Sequence, residues 1–183
     1  MAKEIQTEVT ELKEQLEHLK ETIEYQGQIT RQILWFGDYS FYSENLVFDK
    51  TTLTIKCPKE VKGSYCSAFL YIPVHQFKLR ILNGNVCMGF VTLKKPIDLN
   101  KGIPGDCAHM LYYDRTYFAE GRVIDKTQLS IQSGGVVTIT YDPKTHIIIF
   151  ECEGKQEKAF KNIDGADLYP ILSFKPGSLV QVL

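Results

Sequence analysis

Hydrophobic residues recur along this chain with two different periods, and the change falls near residue 36. Before it, Ile5, Val9, Leu12, Leu16, Leu19 and Ile23 succeed one another at steps of four, three, four, three and four. That 3.5-residue repeat is the a/d seam of a coiled coil, with Val9, Leu16 and Ile23 at a and Ile5, Leu12 and Leu19 at d. Glu8 at g and Lys13 at the following e are placed to pair across two parallel chains. An isolated helix of this length is marginal in water, so the seam must be buried on something. Val9 and Ile23 at a with Leu12 and Leu19 at d favour a parallel homodimer; docking of the stripe on the chain's own domain is the alternative.

Beyond residue 45 the period becomes two. Leu53 and Ile55 alternate with Thr52, Thr54 and Lys56, and Phe77, Leu79 and Ile81 alternate with Gln76, Lys78 and Arg80. Such strands keep one face in a core and one in water, as antiparallel sheets do. Val86–Val91 and Ile147–Phe150 are apolar on both faces and are predicted to be central. Turn signals recur at Asn83-Gly84, Pro104-Gly105, Gly134-Gly135, Asp142-Pro143 and Glu153-Gly154. All seven Pro and twelve of the thirteen Gly lie beyond residue 36. The expectation is a mainly β chain: an N-terminal coiled-coil helix over 1–35, then an antiparallel β-sandwich or barrel over 36–183. Trp35-Phe36-Gly37 stops the helix, and the two rings read as packing groups rather than ligand contacts.

The last fifty residues carry a more specific order. Gly134-Gly135-Val136-Val137 opens a strand ending at Tyr141-Asp142; Ile147-Ile148-Ile149-Phe150 follows, then a hairpin at Gly154-Lys155, Ala159-Phe160 and Leu168-Tyr169-Pro170. This resembles the C-terminal half of the SPRY domain, and Met88-Gly89-Phe90 stands where that family has its Gly-Val segment. Gly135 stands where the family usually has Asp, and Glu153 where it usually has Asn, so altered turns are expected at both. The resemblance implies a twisted β-sandwich, extending over about residues 40–183, whose loops bind a segment of another protein. A coiled coil before such a domain also resembles the C-terminal arrangement of tripartite-motif ubiquitin ligases. No RING or B-box zinc pattern is present, and the chain ends on the strand 179–183 without a SOCS-box-like segment, so ligase or adaptor activity is not expected.

Charge narrows the partners. Net charge is −1, from 21 Lys and Arg against 22 Asp and Glu, so no broad field draws nucleic acid or anionic lipid. No apolar run reaches the roughly 18 residues of a membrane helix, and a start with four Glu in fifteen residues is not a secretory leader. Five cysteines without CxxC spacing indicate a reducing, cytoplasmic setting. Chemistry finds little support: Cys107-Ala108-His109 is the closest pairing of a thiol with an imidazole, but nearness in sequence does not make a dyad, no flanking signature of cysteine hydrolases is present, and no metal-ligand spacing or phosphate-cradling loop is found. The expectation is no enzyme, no cofactor and no metal.

Recognition has two candidates. Tyr112-Tyr113-Asp114-Arg115-Thr116-Tyr117-Phe118 has the composition of an interface hot spot. Simple strand alternation puts Tyr113, Arg115 and Tyr117 on one face, taken as outward because Arg is rarely buried. The polar loop Lys94 to Gly105, with Lys95, Asp98 and Lys101, is the second. The reading is a non-enzymatic protein-interaction module for an unidentified partner protein or peptide; a lectin-like sandwich and a structural subunit of a larger assembly are the alternatives.

Overall fold

The structure, a computed structural model, describes residues 13, 15, 16, 35–37, 40–63, 65–92, 97–100, 108–119, 121–160, 163 and 168–183. Ile5, Val9, Leu12, Leu19 and Ile23 of the heptad seam lie outside them. Lys13, Gln15 and Leu16 have helical backbone and are exposed, but no helix element is defined among the described residues. In chain order the strands are Ser40–Tyr42 (β1), Val47–Asp49 (β2), Thr54–Lys56 (β3), Cys66–Leu70 (β4), Gln76–Asn83 (β5), Val86–Val91 (β6) and Ala108–Leu111 (β7). They continue with Thr116–Ala119 (β8), Arg122–Lys126 (β9), Val136–Asp142 (β10), Ile147–Cys152 (β11), Lys155–Phe160 (β12), Tyr169–Phe174 (β13) and Leu179–Val182 (β14).

These strands form two antiparallel sheets of seven. Sheet A runs β1-β4-β13-β6-β7-β8-β9, and sheet B runs β12-β11-β10-β5-β14-β3-β2. The alternation read from Phe77, Leu79 and Ile81 is the inward face of β5, and Val137, Ile139 and Tyr141 face the same interior from β10. Between the sheets lie Leu79, Met88, Phe90, Ile139, Phe150, Phe174 and Val180, all fully buried. Trp35 and Phe36 belong to this core, with the Trp35 ring centroid 6.0 Å from Phe77 and Phe36 edge-on to Phe48 at 5.6 Å.

The two strands expected to be central fare differently. β6 is the middle strand of sheet A and is buried along its whole length. β11 is corrected: it lies second from the edge of sheet B, and only Ile148, Phe150 and Cys152 are fully buried while Ile147 and Ile149 are partly exposed. Sheet B has water on its outer side, so apolar content on both faces of a strand does not by itself make the strand central.

Two local features set the far edge of the sandwich. The β11–β12 hairpin turns on two residues with positive φ, Glu153 at 52° and Gly154 at 76°, flanked by the Cys152–Lys155 pair. This is the type I′ arrangement, whose first position favours Asn over Glu. Close by, the Glu157 carboxylate on β12 accepts hydrogen bonds from the Tyr117 hydroxyl on β8 (2.9 Å), the Thr127 hydroxyl (2.6 Å) and the Gln128 amide (2.8 Å). The edge of sheet B is thereby stapled to sheet A. Desolvation pushes the Glu157 carboxyl upward, but the donors from Thr127, Tyr117 and Gln128 outweigh it and hold it below the ordinary value of 4.5.

Two stability predictions follow from this edge. Glu153→Asn relieves a side chain held in the left-handed region and is expected to stabilise by about 0.5–1 kcal/mol, read as a higher melting temperature. Glu157→Ala is expected to cost about 1–2 kcal/mol at pH 7, less than three buried bonds because the site is partly screened by water. A lowered folded-state pKa contributes stability that is present above 4.5 and lost as pH falls through the folded value. Glu157→Gln should therefore flatten the acid limb of a urea-midpoint-against-pH curve. An unchanged acid limb would remove the staple from this account.

Candidate protein-interaction face

Sheet A is covered on both sides. Side chains that alternate away from the main core form a second apolar layer of Phe69, Cys87, Val91, Ala108, Met110 and Ile171. Register places them in rows: Phe69 opposite Ile171, Ile171 opposite Gly89, and Gly89 opposite Met110. Gly89 is required here, because a Cβ on it would meet the His109 carbonyl oxygen and approach the Met110 Cα to 2.8 Å. Ser67 and Ser173, buried in this layer, bond to each other across β4 and β13 at 2.6 Å.

The described part of the polar loop, residues 97–100, lies against this layer through Ile97 and Leu99. Ser67 N–H donates to the Leu99 carbonyl (3.0 Å), and the Ser43 hydroxyl donates to the Asn100 side-chain oxygen (2.5 Å). Asp98 is exposed and accepts from the Asn100 amide at 3.1 Å, so it also shapes its own turn. Lys95 and Lys101 lie outside the described residues.

At one end of the layer three distant segments converge. The Lys175 ammonium donates to the Tyr113 hydroxyl and sits 4.4 Å from the Tyr113 ring centroid and 5.7 Å from that of Tyr65. Rings stacked about a cation in this way hold it by the negative face of the π system. Burial raises the Tyr65 and Tyr112 hydroxyls well above the ordinary tyrosine range, and the neighbouring Cys87 adds to it. The Cys87 thiol itself is pushed up to about 12 by desolvation, with Asp114 adding to the shift and the Tyr113 backbone and Lys175 opposing it. It is a packed thiol, not a nucleophile.

The predicted Tyr/Arg stretch is not one strand, and its facing is corrected. β7 ends at Leu111, and residues 112–115 form a hairpin turn in which Arg115 takes a φ of 67°. Asp114 sets the turn by accepting from the Thr116 amide (3.1 Å) and hydroxyl (2.6 Å), while Arg115 N–H bonds the Tyr112 carbonyl (3.0 Å). The turn breaks the alternation. Arg115 and Asp114 are exposed at the tip, Tyr113 is partly exposed against Lys175, and Tyr117 faces inward at 3% exposure beside Phe150 and Phe160. Tyr65 and Lys175 were not found from sequence. They reach Tyr113 only through sheet register, across 48 and 62 positions.

The face therefore presents rigid aromatic area, an ammonium, a guanidinium and a carboxylate within one cluster. That suits a peptide with mixed polar and apolar side chains. Among the described residues no group of three or more His, Cys, Asp or Glu side chains is placed to hold a metal ion.

Comparison with known proteins bears on the same region. The SPRY domain profile matches residues 74–183. No curated protein matches the chain. Among solved structures, the SPRY domain of human HERC1 superposes with a TM-score of 0.61 at 19% identity, covering 79% of this chain and 94% of that one. The TRIM65 PSpry domain superposes at 0.60 with 10% identity, covering 79% and 90%. At these identities the two structures share the fold.

The four cysteines described, Cys57, Cys66, Cys87 and Cys152, are all free and buried. A Cys107→Ser variant should consequently show no thiol reacting rapidly with Ellman's reagent in the native state, and all four after denaturation. A fast native thiol would contradict the burial of these four side chains.

Proposed function

The chain belongs to the SPRY domain family, and from that premise we propose that it is a non-enzymatic interaction module that binds a segment of a partner protein. SPRY domains are protein-interaction modules. The observation that carries the reading is the cluster at the end of the outer layer, where Tyr65, Tyr113 and Lys175 meet beside the exposed Asp114–Arg115 hairpin tip. Its groups recognise and orient rather than transform: the Cys87 thiol is buried and protonated, and the Lys175 ammonium is held by the Tyr113 hydroxyl and ring. The loop bearing Lys95, Asp98 and Lys101 borders the same layer and forms part of the binding face in this reading. No cofactor is called for, and neither nucleic acid nor membrane is its target. A reducing, cytoplasmic setting, read from the cysteine spacing in the sequence, is part of the same proposal. The heptad seam of Ile5, Val9, Leu12, Leu16, Leu19 and Ile23 pairs two chains in parallel, so that two weak sites engage one bivalent target with raised effective concentration.

The test is capture from native extract by the tagged full chain, run beside Tyr113→Ala/Arg115→Ala and Lys175→Ala. The same protein should be recovered with wild type and reduced about ten-fold or more with the variants, as expected when an interface hot spot is removed. Equal recovery by all three would move the site elsewhere. Binding on a glycan array with no protein partner recovered would replace the reading with a lectin.

A further inference from the structure

At the opposite end of the outer layer, four aromatic rings form a ladder. Phe41 stacks on Phe69 (5.4 Å, 16°) and meets Tyr71 edge-on (5.7 Å), and Tyr71 stacks on Tyr169 (5.6 Å, 11°). Phe41 is 49% exposed and Tyr71 56%. Tyr42, the next residue on β1, turns to the rim between the sheets, lies 4.3 Å from Phe48, and is 48% exposed. Phe48 in turn contacts Phe36, so a continuous run of rings leads from the point where the N-terminal segment enters the sandwich to this surface.

We propose that this rim, formed by Phe41, Tyr42 and Tyr71, is the surface on which the sandwich domain of a second copy of this chain rests. The inference rests on the reading of the chain as a helix-tethered parallel dimer, and three observations select the occupant. The first is position: only residues 37–39 separate the core anchor Phe36 from β1, so in a parallel dimer these rims emerge next to each other. The second is charge. In a chain that is 23% charged, the segments 40–43 and 65–74, which hold Phe41, Tyr42, Phe69 and Tyr71, carry no charged residue. A symmetric contact sets each patch against itself, and an uncharged patch meets its own copy without like-charge repulsion.

The third is area. Three half-exposed side chains of this size offer roughly 300 Å², well below the roughly 800 Å² per partner of a free-standing interface. The rim is too small to pair two free domains. It is sufficient as an added contact between domains already held together, where the second association is intramolecular. The helical seam accordingly supplies the association, and the rim fixes the two domains relative to each other, leaving the Tyr113–Lys175 ends free for a partner.

The test uses the full chain in sedimentation equilibrium over roughly 1–100 µM. Wild type should be a dimer and Leu12→Glu/Leu19→Glu a monomer. Phe41→Ser/Tyr71→Ser, with its β-sheet content checked by circular dichroism, should weaken the dimer by about ten-fold. Tyr42→Cys under diamide should give a covalent dimer that the Leu12→Glu/Leu19→Glu background abolishes. This readout does not depend on the ring-deleted variant folding. A dimer whose affinity ignores Phe41→Ser/Tyr71→Ser and whose Tyr42→Cys form does not cross-link overturns the rim contact and leaves the helical dimer standing. Loss of a co-purifying protein from that unaffected dimer assigns the rim to another partner and equally overturns it. A monomeric wild type overturns both readings.

Discussion

The corner at Lys175–Ser178 is the constraint on which the rest of the fold depends. It carries the chain from β13, an inner strand of sheet A, to β14, an inner strand of sheet B, in four residues. Its backbone is tied to both neighbouring segments: Lys175 N–H bonds the Asn85 carbonyl (3.0 Å), Gly177 N–H bonds the Cys57 carbonyl (2.9 Å), and Cys57 N–H bonds the Ser178 carbonyl (2.9 Å). The Ser178 hydroxyl reaches both the amide (3.0 Å) and the carbonyl (2.9 Å) of Asn85. Gly84, with a φ of 78°, lies so close that a Cβ would stand 2.7 Å from the Ser178 Cα. One tight corner thus sets the spacing of the sheets, and the same corner aims Lys175 at Tyr113. Fold and candidate site share a cause.

Burying sheet A on both sides has a further consequence. A strand sheet with water on one face needs only alternate apolar residues, and β5 and β10 follow that rule. β4, β6 and β13 carry apolar or small uncharged residues throughout because a second layer lies over them. That layer has finite extent, and where it ends its rings become exposed: Tyr113 with Lys175 at one limit, Phe41 and Tyr71 at the other. Amphipathic rings suit such a border, since each keeps an apolar body on the layer and a polar or open side in water.

What could be read from sequence was local. Period two in β5, the turn at Glu153-Gly154 and the strand ending at Asp142 depend on near neighbours, and each appears where the pattern puts it. The Tyr112–Phe118 stretch was misread for an equally local reason: Asp114 closes a turn through Thr116, and one residue in the left-handed region shifts the facing of all that follows, sending Tyr117 to the core. The cluster around Lys175 was beyond reach for a different reason. Tyr65, Tyr113 and Lys175 become neighbours only once β13 is paired with β4 and β6, and nothing in their own surroundings specifies that pairing.

The sheet edges show how exposure is managed in this fold. β9 has Val123 and Ile124 exposed, but Arg122, Asp125 and Lys126 flank them and a register shift between Tyr117 and Phe118 bends its pairing with β8. β12 presents Lys155 and Lys158. Charge and irregularity of this kind oppose the addition of further strands. β1 has neither protection; its residues are Ser40, Phe41 and Tyr42, and it is only three residues long. A short edge offers few backbone groups for strand addition, so what it offers a neighbour is its rings. Side-chain contact without sheet extension is a closed arrangement, because two copies that cover each other's rings leave no further edge for a third.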